Sequence, residues 1–102
     1  MTSENRPPLL IVEDDSALQK QIKWSLDSFE SVVADDRASA LAQFRRHAPA
    51  VVTMDLGLPP NPDSVQEGFK LLEQMMEINP DAKVIVLTGQ NDQANALRAI
   101  DL

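Results

Sequence analysis

The sequence predicts a doubly wound α/β domain, an open parallel sheet with helices on both faces. Three observations carry that prediction: short unbroken apolar runs recur, helix-patterned stretches separate them, and the two kinds of segment alternate along the 102 residues. Strands buried on both faces read as continuous apolar runs. Alternating strands and helices call for right-handed crossovers within one parallel sheet.

Each element has its own signal. Leu9 to Val12 (LLIV), Val51 to Met54 (VVTM) and Val84 to Leu87 (VIVL) are the strong strands, with only Thr53 interrupting. Ser31 to Ala34 (SVVA) is weaker and reads as a strand nearer the sheet edge. Ser16, with Asp14 and Asp15 as alternatives, can cap a first helix in which Leu18, Ile22, Leu26 and Phe29 form one apolar stripe. Asp35 or Asp36 can cap a second, with Leu41 and Phe44 inward. Arg45, Arg46 and His47 suit its last turn, and Pro49 stops it. A third helix starts near Gly68, carries Phe69, Leu72, Met75 and Met76 inward, and ends before Pro80. A fourth opens at Asp92 and runs through Leu97 and Ile100 to the end. The connection from Gly57 to Gly68 (GLPPNPDSVQEG) holds three of the seven prolines and exceeds a routine βα turn of about 2–6 residues.

Composition narrows the function classes. At this length one domain is expected. A composition that is 43% hydrophobic and 25% charged suits a folded chain, and the absence of cysteine excludes disulfides and thiolate metal sites. A formal net charge of −7 argues against direct nucleic-acid binding by this segment. The opening MTSENRPP is polar and proline-broken, so residues 1–7 are expected to be a disordered lead-in. No apolar run approaches the roughly 20 residues that span a bilayer. The expected location is therefore cytoplasmic, with no membrane partner.

The chemistry lies at the strand ends. Glu13, Asp14 and Asp15 follow the first strand directly, Asp55 ends the third and Thr88 the fourth. If the first strand pairs with the third and the third with the fourth, these groups share the carboxyl edge of the sheet, where such folds bind ligands. Two like charges 4 Å apart repel by about 4 kcal/mol at an effective dielectric near 20. Carboxylates placed so close must share a proton or hold a cation. With oxygen donors alone, the cation is hard: Mg2+ first, with Mn2+ or Ca2+ as alternatives. Helix capping is the plainer account of EDDS alone, and the matching residues on two further strands shift the balance toward a site.

Together, LLIVEDD, VVTMDLGLP and VIVLTG, in this order and spacing, resemble the receiver domain of bacterial two-component response regulators. The resemblance covers about Pro8 to Leu102 and implies a flavodoxin-like sheet of strand order 2-1-3-4. It implies that Asp55 accepts a phosphoryl group from a sensor histidine kinase or phosphotransfer protein. Glu13, Asp14, Asp55 and the backbone carbonyl of Gly57 would hold Mg2+, and Thr88 would hydrogen-bond the phosphoryl group. Gly57 and Gln90 stand where the family tunes phosphoryl lifetime. The chain would be a signalling domain rather than an enzyme in the usual sense, relaying a conformational switch to an output domain outside it. The long DLGLPP form faintly resembles receivers of enhancer-binding transcription factors.

The family pattern departs at the end. A receiver normally continues through a fifth strand bearing a lysine, then a fifth helix, and the sequence shows neither. On that reading, residues 8–102 form a receiver lacking its C-terminal strand and helix, and the fourth strand becomes an open edge prone to self-association. Two alternatives follow: a truncated or degenerate receiver that acts by protein binding, and a Mg2+-dependent aspartyl phosphatase, which would want an Asp-x-Asp pair that Asp55-Leu56-Gly57 does not supply. A dinucleotide-binding domain is excluded, since no glycine-rich turn follows the first strand. The prolines after Asp55 read as a surface insertion, or else a contact for kinase or output domain. Met54, Met75 and Met76 read as core filler, Trp24 as a half-buried packing residue, and His47 as a helix-end charge.

Overall fold

In the computed structural model, which describes residues 6–58, 65–88 and 98–101, the elements follow in the order β1 (Pro8–Val12), α1 (Ser16–Ser25), β2 (Glu30–Ala34), α2 (Arg37–His47), β3 (Val51–Asp55), α3 (Gln66–Ile78), β4 (Lys83–Thr88) and β5 (Arg98–Asp101). One sheet runs β2-β1-β3-β4-β5. Its first four strands are parallel, in the 2-1-3-4 order that the family resemblance implies, and the weak β2 lies at the edge.

The alternation of side chains along β1 divides the core. Leu10 and Val12 join Val52, Met54, Val84 and Val86 on one face, where Ala40 and Phe44 of α2 and Leu71 and Met75 of α3 cover them. Leu9 and Ile11 point the other way and meet Ile22 of α1, with Leu26 and Phe29 alongside. Each fully buried aliphatic side chain of this kind stabilises the fold by about 1.5–3 kcal/mol. The unbroken runs are thus explained: both sides of β1 are dry. Helices leave β1 and β3 toward opposite faces, so a crevice opens between the carboxyl ends of those two strands.

The caps refine the predicted boundaries. Asp15, rather than Ser16, is the N-cap of α1; its Oδ1 accepts from the Ala17 and Leu18 amides at 2.9 and 3.4 Å. Asp36 caps α2 in a reciprocal capping box with Ser39. In α3 the inward stripe is Gly68, Leu71 and Met75, flanked by Leu72 and Met76. Phe69, one position round from Gly68, is half exposed rather than inward. Trp24 is 83% exposed, not half-buried, because it stands two residues, more than half a turn, past the buried Ile22.

The C-terminal segment differs from expectation. Instead of a fourth helix running through Ile100, residues 98–101 form β5, antiparallel to β4, with Ile85 to Thr88 opposite Asp101 to Arg98. Open N–H and C=O groups along β4 offer ladder partners, and these outweigh the helical preference of Arg98 and Ala99. The edge expected to drive self-association is therefore occupied by this same chain. Residues 92–97 of the predicted helix lie outside the described residues, as do Gly89, Gln90 and loop residues 59–64. At the other end Arg6 and Pro7, read from sequence as disordered, make contacts: the Arg6 guanidinium pairs with Glu30 at 3.1 Å and the Pro7 carbonyl accepts from the Glu30 amide.

Candidate functional site

Glu13 and Asp14 leave the end of β1, and Asp55 closes β3 beside it. Because Val12 pairs with Met54 in register, the residues that follow on both strands fall together at the crevice. One carboxylate oxygen from each of Glu13, Asp14 and Asp55 lies within 4.8 Å of the other two. Glu13 is buried, Asp55 half-buried and Asp14 exposed, so the cluster opens to solvent on the Asp14 side.

Several backbone and side-chain bonds fix this corner. The Glu13 amide donates to the Ala34 carbonyl of β2 at 2.9 Å, extending the ladder one residue beyond β1. The Gln19 side chain of α1 donates to the Glu13 carbonyl. Glu13 Oε2 accepts from the Asp15 amide at 3.1 Å, and Asp55 Oδ1 accepts from the Gly57 amide at 3.1 Å. Asp15 itself turns to the helix and caps it, so the third carboxylate of EDD is structural. Gln19 was not legible in the sequence, since no spacing rule marks a side chain that returns to the backbone six residues earlier.

The electrostatics match the crowding. Burial raises the Glu13 carboxyl to about 7, with the Asp55, Asp14 and Asp15 charges adding and the Asp15 amide opposing. Burial also raises Asp55, again with Asp14 adding and the Gly57 amide opposing. A carboxyl whose pKa stands at about 7, beside a second that burial also raises, is an arrangement whose repulsion a cation relieves.

The donor set fits a hard divalent ion. All three ligand atoms are carboxylate oxygens, which Mg2+ and Ca2+ prefer and softer metals do not require. Oxygens sharing one magnesium lie up to about 4.2 Å apart, so the 4.8 Å limit here leaves only a small side-chain closure. Of the other sequence-predicted residues, Gly57 is buried and its amide holds Asp55. Thr88 ends β4 one residue beyond Leu87, the register partner of Asp55, which puts its backbone at the same edge of the sheet.

The fold and this corner define a class: an open, doubly wound α/β domain with an acidic cluster at the point where its strand order reverses. Comparison with known proteins makes the class particular. The chain belongs to the response regulator receiver domain family, whose pattern matches residues 9–102. It is similar to the chemotaxis protein CheY of Bacillus subtilis, 30% identical over 95 residues, a match covering 90% of this chain and 75% of CheY. It is also similar to the photosynthetic apparatus regulatory protein RegA of Rhodobacter capsulatus, 28% identical over 96 residues and 92% of this chain. The match spans half the length of RegA. Among solved structures, the non-phosphorylated HemR receiver domain of Leptospira biflexa superposes with a TM-score of 0.71 at 31% identity, over 83% of this chain and 66% of that one.

Proposed function

We propose that this receiver domain takes a phosphoryl group onto Asp55 from the phosphohistidine of a sensor histidine kinase or phosphotransfer protein. Glu13, Asp14, Asp55 and the Gly57 carbonyl would hold Mg2+. The observation that carries the reading is the convergence of Glu13, Asp14 and Asp55 on one point at the switch crevice.

When bound, the cation supplies positive charge that offsets repulsion between a carboxylate and an anionic phosphoryl donor. The chain's own residues do the rest. The Gly57 amide holds Asp55 Oδ1, which fixes the carboxylate plane and leaves the second oxygen to attack phosphorus. A new O–P bond forms as the P–N bond breaks, and that electron pair returns to the donor imidazole. Glu13, fixed by the Asp15 amide, sets the dry wall of the site, while exposed Asp14 faces the side from which a donor approaches. Thr88, at the end of the neighbouring strand, is the proposed hydrogen-bond partner of the transferred group.

The phosphorylated state would then bias a two-state conformational equilibrium read by an output domain outside this chain, with transcription regulation as the proposed output. The excess of negative charge favours protein rather than nucleic acid as the direct partner of this segment. Among the described residues no helix is long and apolar enough to cross a membrane, and the proposed site of action is the cytoplasm.

Incubation with Mg2+ and acetyl phosphate, followed by intact mass measurement, tests the proposal. A single phosphoryl adduct on the wild type and none on Asp55→Asn or in EDTA is expected. No adduct from a protein that still binds Mg2+ would leave a binding domain without phosphotransfer. Repeated turnover of a phosphomonoester would indicate a phosphatase instead.

A further inference from the structure

Gly68 is buried at the third position of α3, inside a helix that glycine weakens relative to alanine. Its lack of a side chain has a specific use. A Cβ at this position would stand 2.5 Å from the Leu56 Cα, 2.6 Å from the Leu56 carbonyl oxygen and 2.8 Å from Leu56 Cδ2. The first two are backbone atoms and cannot swing aside as a side-chain tip can. The first turn of α3 therefore lies directly against the main chain between Asp55 and Gly57.

Which partner would yield to an added methyl group is decided by how each is held. The helix is anchored twice. Arg37 at the start of α2 donates from Nε to Glu67 Oε1 at 2.9 Å and from Nη1 to Gln74 Oε1 at 3.1 Å. Leu71 and Met75, on the same face as Gly68, are buried in the main core. The turn after β3 is seated in the same core at Leu58, but Leu56 itself is only partly buried, and the holds on either side of it are single amides, Gly57 on Asp55 Oδ1 at 3.1 Å and Leu58 on the Leu56 carbonyl at 3.0 Å. That Leu56 carbonyl is one of the atoms a Cβ would strike. The displacement would therefore go into the turn, and from there into the Asp55 carboxylate and the Gly57 backbone.

We propose that Gly68 is a positioning residue for the carboxylate corner: the anchored N-terminal turn of α3 is a backstop that sets where Asp55 and Gly57 stand relative to Glu13 and Asp14. The role deepens the cation-site reading above and rests on it. Outer residues that orient metal ligands typically change metal affinity by about 10–100-fold when altered.

The test compares wild type, Gly68→Ala and Met75→Ala, the last a cavity-forming change seven residues further along the same helix that weakens the shared core. Mg2+ affinity is measured by calorimetry, the backbone amide of Gly57 by NMR in metal-free protein, and stability by urea unfolding. Gly68→Ala is expected to bind Mg2+ at least about tenfold more weakly and to shift the Gly57 amide resonance. Met75→Ala is expected to keep the affinity within about twofold of wild type and to leave the Gly57 amide resonance in place despite its lower stability. Adding Arg37→Ala to Gly68→Ala releases the helix and is expected to restore part of the affinity.

Wild-type affinity and an unmoved Gly57 amide in Gly68→Ala would overturn the proposal, as would equal losses in Met75→Ala. If Gly68→Ala does not fold in buffer, the comparison is repeated in trimethylamine N-oxide, which favours the compact state. Failure to fold even there would assign Gly68 to the fold as a whole and overturn the positioning role. If wild type binds no Mg2+, the cation-site reading fails, while the Gly57 amide still decides whether Gly68 positions the turn.

Discussion

Replacing Glu13 by glutamine isolates the electrostatic cost built into this corner. Glutamine keeps the shape and the oxygen that accepts from the Asp15 amide, but it has no proton to lose. In the fold the Glu13 carboxyl holds its proton to about 7, against 4.5 for the unperturbed group. The raised value sets the sign. Below pH 4.5 both folded and unfolded chains are protonated at this position and ionisation costs nothing. As pH climbs through 7, the native state is forced to bury a charge that the unfolded chain carries freely. Every tenfold difference in proton affinity between the two states corresponds to about 1.4 kcal/mol, so metal-free wild type loses under about 1 kcal/mol by pH 5 and about 3 kcal/mol by pH 8. Glu13→Gln should therefore be more stable than wild type in EDTA by about 3 kcal/mol at pH 8 and by much less at pH 5. Urea unfolding followed by far-UV circular dichroism measures it; Trp24 is too exposed to report on the core. Equal stability of the two proteins at pH 8, or a difference that does not change with pH, would refute the electrostatic reasoning.

Other consequences follow from the same geometry. Mg2+ should raise the melting temperature of wild type strongly at pH 8 and weakly at pH 5, because Glu13 and Asp55, both with raised pKa values, bind protons in competition with the metal. A concentration a hundred times the dissociation constant gives about 2.7 kcal/mol, and a pH-independent effect would place the ion elsewhere. Thr53→Val should stabilise the protein by about 1 kcal/mol, since Thr53 Oγ1 is buried without a hydrogen-bond partner among the described residues; a destabilisation measured in urea would mean the hydroxyl has a partner. Asp36→Ala should cost about 1 kcal/mol at pH 7 by removing the α2 capping box. The Ser39 bonds lower the Asp36 pKa, so this contribution is present above pH 3.8 and fades as pH falls further, which denaturation at several pH values will show.

Much of the fold was legible in the sequence because the physics that shapes it is local or periodic. Leu9 to Val12 read as a strand dry on both sides, and the sheet places helices against each of its faces. Asp35 and Asp36 both announced a helix start by capping chemistry, and Asp36 is the one that caps α2. The candidate site was legible for a related reason: strand ends in a parallel sheet share one edge, so Glu13, Asp14 and Asp55 needed only the right strand order to meet. What escaped depends on partners far along the chain. Arg98 to Asp101 pair with β4 because an edge is open to them, which no helical periodicity reports. The inward face of α3 was misread at Phe69 because Gly68 offered no apolar side chain to count, and the reason for Gly68 lies twelve residues away at Leu56. Trp24, off the apolar stripe of α1, reads from sequence as half-buried packing, and the structure puts it in solvent.

The most direct test of the account is Mg2+ binding itself, measured by calorimetry at pH 8 on wild type, Asp14→Asn and Asp55→Asn. One ion per chain, with each substitution weakening it about tenfold or more while circular dichroism shows the fold intact, is the predicted result. Undiminished affinity in both variants, or no binding by the wild type, would contradict the claim that these carboxylates meet to hold a cation.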